Sequence, residues 1–131
     1  MIQHVAIEVR EQDVEACVRF WALLGFGRVE PPAALAARSA WVQAGGTQVH
    51  LLFADEPVVP PEGHVAVVAG DYDATLDALR EAGFSPDPRR QYWGSPRAFV
   101  RCPAGHRVEV MAFAPPADDG LEGAPAGAGE A

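Results

Sequence analysis

The sequence predicts an α+β protein made of two βαβββ modules, and three observations predict it. Stretches that alternate apolar and polar residues, as half-exposed strands do, are interleaved with two stretches of helical period. Their order is strand, helix, three strands, and then the same again. Matching motifs recur at nearly constant spacing. His4-Val5-Ala6-Ile7 returns 60 positions later as His64-Val65-Ala66-Val67. Leu24-Gly25-Phe26 returns 58 later as Ala82-Gly83-Phe84, and Gln48-Val49-His50-Leu51 returns 59 later as Arg107-Val108-Glu109-Val110. Duplication accounts for such spacing over half a chain.

Taken in order, Ile2 to Val9 reads as a strand with Val5, Ile7 and Val9 on one face and His4, Ala6 and Glu8 on the other. A helix follows, capped near Asp13, with Val14, Val18 and Trp21 on one stripe and Gly25 as its stop. Strands are expected over Phe26–Glu30, Ser39–Gln43 and Thr47–Phe53, punctuated by Pro31-Pro32 and Gly45-Gly46. Pro57 to Gly63, with three prolines, reads as a linker. The second module opens with a strand over Gly63–Val68. A helix over Asp71–Ala82 carries Tyr72, Leu76 and Leu79 on one face and stops at Gly83. Strands near Arg89–Tyr92, Arg97–Arg101 and Arg107–Phe113 complete it. The modules thus span about 1–56 and 62–114 of a single domain, 1–114. Residues 115–131, rich in Ala, Gly and Pro, read as a disordered extension.

Composition narrows the function classes. An apolar fraction of 49% in 131 residues supports a real core. A net charge of −8 argues against nucleic acid, which needs a basic face. No apolar run reaches the roughly 18 residues of a membrane span. The N-terminus lacks the basic-then-apolar layout of a secretion signal, so a cytoplasmic protein is expected. Cys17 and Cys102 belong to no Cys-x-x-Cys pair and read as packing residues.

Four side chains carry the chemistry. His4 and His64 open the first strand of each module, and His50 and Glu109 sit in the last. Alternation places His50 with Leu52, and Glu109 with Met111, on the face away from the helix. A lone strand histidine is ordinarily structural or solvated, and a lone strand Glu ordinarily lies at the surface. Two repeat-related pairs are a different matter. If equivalent modules pair about a pseudo-two-fold axis, all four can meet one divalent cation. Three imidazoles and a carboxylate suit Zn, Ni, Co or Fe(II) better than Ca or Mg. His106, in the turn after Pro103, has no repeat partner and is left out.

These residues resemble the vicinal oxygen chelate superfamily, which includes glyoxalase I, extradiol dioxygenases, fosfomycin-resistance proteins and bleomycin-binding proteins. Gln3-His4-Val5-Ala6-Ile7 is similar to its first metal strand. Arg19-Phe20-Trp21 with Leu24-Gly25-Phe26 resembles its helix and helix exit. Gly63-His64-Val65 resembles the start of its second module, and the run from Cys102 to Glu109 its last turn and metal strand. The resemblance covers residues 1 to about 114. It implies a cupped eight-stranded mixed sheet of the glyoxalase/bleomycin resistance/dioxygenase fold. It also implies a homodimer, in which His4 and His50 face His64 and Glu109 of one chain or of two.

Within that family a fourth ligand at the place of His50 marks glyoxalase-like isomerases. The resemblance therefore implies a lyase or isomerase acting on a small α-oxo substrate through an enediolate-like intermediate, with Glu109 as base. Glu8 and Ala54 stand where glyoxalases grip the glutathione carboxylates, which argues against glutathione. An Fe(II) extradiol-type dioxygenase and a non-catalytic binder of a small molecule or antibiotic are the alternatives. Trp41, Trp93, Arg97 and Arg101 are the candidate pocket wall.

Overall fold

The structure, a computed structural model, describes residues 1–117, so most of the expected extension lies outside the described residues. Strand β1 (His4–Val9) turns Val5, Ile7 and Val9 toward the core and leaves His4 and Ala6 exposed. A 3₁₀ turn over Glu11–Asp13 leads into α1 (Val14–Leu23), which buries Val14, Cys17, Phe20 and Trp21. The cap expected at Asp13 does not form. Its backbone is already helical (φ −96°, ψ −3°), so its side chain makes no cap hydrogen bond. Gly25, at φ +91°, closes the helix: its N–H bonds Ala22 O and the Phe26 N–H bonds Trp21 O.

Strands β2 (Gly27–Val29), β3 (Ser39–Ala44) and β4 (Thr47–Phe53) follow. A short helix not anticipated from the sequence, α2 (Ala33–Ala36), separates the first two. The Pro31-Pro32 pair reads as a turn. Pro32 instead sits at the helix N-cap, ahead of the helix-favouring Ala33-Ala34-Leu35-Ala36. The second module repeats the plan with β5 (Val65–Val68), α3 (Tyr72–Glu81), β6 (Asp87–Arg89), β7 (Arg97–Arg101) and β8 (Arg107–Met111). Strand β6 ends where the sequence reading had it begin. The Arg90–Pro96 stretch leaves the sheet because Gly94 takes φ +83° and Pro96 has no N–H to give a ladder.

The eight strands form two mixed four-stranded sheets, ordered β1-β4-β3-β2 and β5-β8-β7-β6, with no ladder between them. In each, the first strand runs parallel to the last and the others pair antiparallel. The modules share one core. Val49, Leu51, Val108 and Val110 lie buried with the apolar faces of α1 and α3. Phe20 meets Phe84 edge-on at 5.0 Å. His106 donates from Nε2 to the Glu8 carbonyl at 2.7 Å, a buried tie across 98 residues. Cys17 and Cys102, both free and buried, come from the two halves, and the pairing with Cys102, followed by burial, raises the Cys17 thiol above its ordinary range. Among the described residues no helix is long and apolar enough to cross a membrane.

At α3 the cap does form, with the Asp71 carboxylate accepting the Ala74 N–H at 3.0 Å. Asp71→Ala should cost about 1 kcal/mol, seen as a lower urea midpoint with an unchanged slope.

Candidate metal centre

Strand register explains how each donor is placed. In the first sheet His50 lies directly opposite both Ala6 and Trp41, and His4 lies opposite Gln48. All point away from the helices. The result is a stack of three rings. Trp41 lies flat on His50, with centroids 3.9 Å apart and planes 2° apart. His4 covers the other face at 4.0 Å and 14°. In the second sheet Ala66 is opposite Glu109, so His64, two residues before it, shares the Glu109 face. His64 Nε2 stands 3.1 Å from Glu109 Oε1, and Arg97 donates to Glu109 Oε2 at 3.3 Å.

The chemistry of this donor set fits a cation. Each imidazole gives one N–H to an oxygen close to it in sequence: His4 Nδ1 to Gln3 Oε1, His50 Nε2 to Gln48 Oε1, and His64 Nδ1 to the Glu62 carbonyl. Such bonds fix the tautomer and ring orientation of metal-binding histidines. In the neutral rings they leave a lone pair on His4 Nε2, His50 Nδ1 and His64 Nε2. For His64 that lone pair faces a carboxylate oxygen. The contact is repulsive unless a proton or a metal ion lies between them.

Within one chain the four donors form two pairs. Among the described residues, no three His, Cys, Asp or Glu side chains gather in a way that could hold a metal ion. The first pair also needs adjustment. A metal lies close to the plane of an imidazole that binds it, and two stacked parallel planes cannot share one ion. His4, which is exposed, is the ring positioned to turn. His50 is 8% exposed and backed by Trp41.

Of the candidate wall residues, Trp41 lies against the first pair and Arg97 against the second. Trp93 donates instead to the Phe113 carbonyl, and Arg101 to the Gly105 carbonyl. Phe99 is an addition that the sequence reading missed. Directly opposite Glu109, it meets His64 edge-on at 5.0 Å and lies under the guanidinium groups of Arg89, Arg97 and Arg107. The alternation Arg97-x-Phe99-x-Arg101 was the available signal.

Burial, and next the neighbouring His4, lowers the proton affinity of His50 below its ordinary value of 6.5. A histidine that protonates less readily folded than unfolded supplies stability that is full above the unfolded pKa and declines as pH falls below it. In metal-free protein, chemical stability should therefore drop below about pH 6.5. His50→Gln should flatten that slope, as measured by urea midpoints across the acid range.

The fold defines a class, and sequence comparison defines the family. The profile of the Glyoxalase/Bleomycin resistance protein/Dioxygenase superfamily matches residues 1–110. The chain belongs to that superfamily. Among solved structures, a Bacillus anthracis protein assigned to the glyoxalase family superposes with TM-score 0.76 at 21% identity, covering 85% of this chain and 93% of that one. The oxidase ChaP-H2 gives 0.71 at 16%, covering 88% and 94%. A lactoylglutathione lyase from Agrobacterium tumefaciens gives 0.66 at 19%, covering 85% and 92%. At these identities the likeness establishes the fold. Among curated proteins none matches the chain.

Proposed function

We propose that the protein is a metal-dependent lyase or isomerase of glyoxalase type, acting in the cytoplasm on a small α-oxo compound other than a glutathione adduct. The observation that carries this reading is the His64–Glu109 contact, 3.1 Å between a directed imidazole nitrogen and a carboxylate oxygen. His4 and His50 occupy the repeat-equivalent places, so we assign His4, His50, His64 and Glu109 to one divalent ion, Zn, Ni, Co or Fe. Because the two pairs stand apart in one chain, a homodimer is proposed in which each site joins the first-module pair of one copy to the second-module pair of the other.

A bound ion would supply Lewis-acid polarisation of the substrate carbonyl. The protein's own residues do the rest. Glu109 takes the proton from the carbon beside that carbonyl, and Arg97 on Oε2 keeps the carboxylate aimed. Trp41 fixes the plane of His50, and Gln48 fixes its tautomer.

Elemental analysis of gently purified protein tests the assignment, with one ion per chain expected. A trans test reads the shared site. Mixing inactive His50→Ala and Glu109→Gln chains should restore about a quarter of wild-type activity, since half the dimers are mixed and each holds one intact site. No recovery after subunit exchange would place all the ligands in one chain. Absence of metal from active protein would sink the reading.

The ring stack favours a second reading. If His50 stays flat on Trp41, the remaining set is two histidines and a carboxylate, as in non-haem Fe(II) oxygenases. Oxygen uptake on catechols after anaerobic iron reconstitution would select it.

A further inference from the structure

The second sheet's open face is basic in a chain of net charge −8. Arg89, Arg97 and Arg107 surround Phe99 at 5.4, 5.5 and 4.6 Å, with His64 at its edge. Two of these guanidinium groups have partners: Arg89 pairs with Asp87 at 2.9 Å, and Arg97 with Glu109. Arg107 is different. Among the described residues its guanidinium makes no hydrogen bond or ion pair, and it is only partly exposed, packed over Phe99. By contrast, among the described residues, the strands of the first sheet place no Arg on the open face that holds Trp41, Gln43, Gln48 and His50.

Arg107 and His64 also border a cleft of about 440 Å³ between the modules. That volume lies in the range of small-molecule sites. Its walls are largely apolar, from Val5, Ile7, Val58, Pro60 and Val65. Glu8, the one carboxylate along it among the described residues, is turned to the linker, where Oε1 accepts the Val58 N–H at 2.9 Å.

We propose that this cleft takes the carboxylate of an anionic substrate with an apolar side chain, with Arg107 as the residue that binds it. Resting on the α-oxo reading above, this narrows the substrate to α-oxo carboxylic acids. A guanidinium matches a carboxylate through two parallel N–H donors, and Phe99 holds its plane.

The test uses phenylpyruvate and its neutral counterpart 1-phenyl-2,3-butanedione, in which an acetyl group replaces the carboxylate, titrated calorimetrically into full-length protein as purified. Phenylpyruvate should bind about tenfold or more tightly than the dione, and high salt should erase much of the difference. Arg107→Gln should remove that selectivity without weakening the dione. Arg107→Lys should keep part of it, and Arg80→Gln, on the far helix α3, all of it. Equal affinities for the two probes, or unchanged selectivity in Arg107→Gln, would overturn the proposal. Metal content is measured on the same samples. Selectivity without metal leaves the carboxylate site standing and removes the metal-enzyme reading. Metal without selectivity does the reverse.

Discussion

Glu109→Gln should lower kcat by about 10²–10⁴-fold, the usual contribution of a positioned general base. The substitution is a clean one in this setting. Glu109 is 6% exposed, so a change of shape would be costly, but Gln keeps the shape. Its amide oxygen can still accept from Arg97, and its N–H₂ can donate to the lone pair on His64 Nε2. The fold should therefore survive in the metal-free protein, with melting close to wild type, and three imidazoles are left to hold an ion, while proton transfer is lost. A kcat within a factor of about two of wild type would retire Glu109 as the base. Loss of kcat in step with loss of metal would make it a ligand alone.

Chelation should have the next largest effect. An ion that binds only the folded state, present at about 100 times its dissociation constant, adds about 2.7 kcal/mol. On a domain of this size that is roughly 10 °C in Tm. If the ion joins two chains, chelator should also shift the protein toward monomer, so that Tm comes to depend on protein concentration. A non-catalytic binder with no ion predicts identical melting with and without chelator, and that result would count decisively against the centre.

Much of this architecture could be read from residue order because duplication wrote it twice. Strands β4 and β7 match the expected ranges, and Gly25 and Gly83 stop their helices at positive φ, as their motif spacing implied. Short elements were harder. Four residues of α2 carry too little periodic signal, and β6 includes Pro88, which counts against a strand on local grounds. Pairwise neighbours in space were harder still. Alternation puts His50 and Trp41 on the same kind of face, but only the register of β3 against β4 stacks them. His106, without a repeat partner, carried no signal of its bond to Glu8, because that bond depends on how the modules pack. Arg107 illustrates the same limit. Its place over Phe99 follows from pairing between β7 and β8, which no single segment encodes.

The flat contact between Trp41 and His50 makes the protein its own optical reporter. An indole in van der Waals contact with an imidazole changes its emission when that ring gains charge or moves. Titrating acid, adding an ion, or turning His4 away would each register at Trp41, and Trp41→Phe would separate that signal from those of Trp21 and Trp93. The proposed centre can thus be followed by light before any substrate is known.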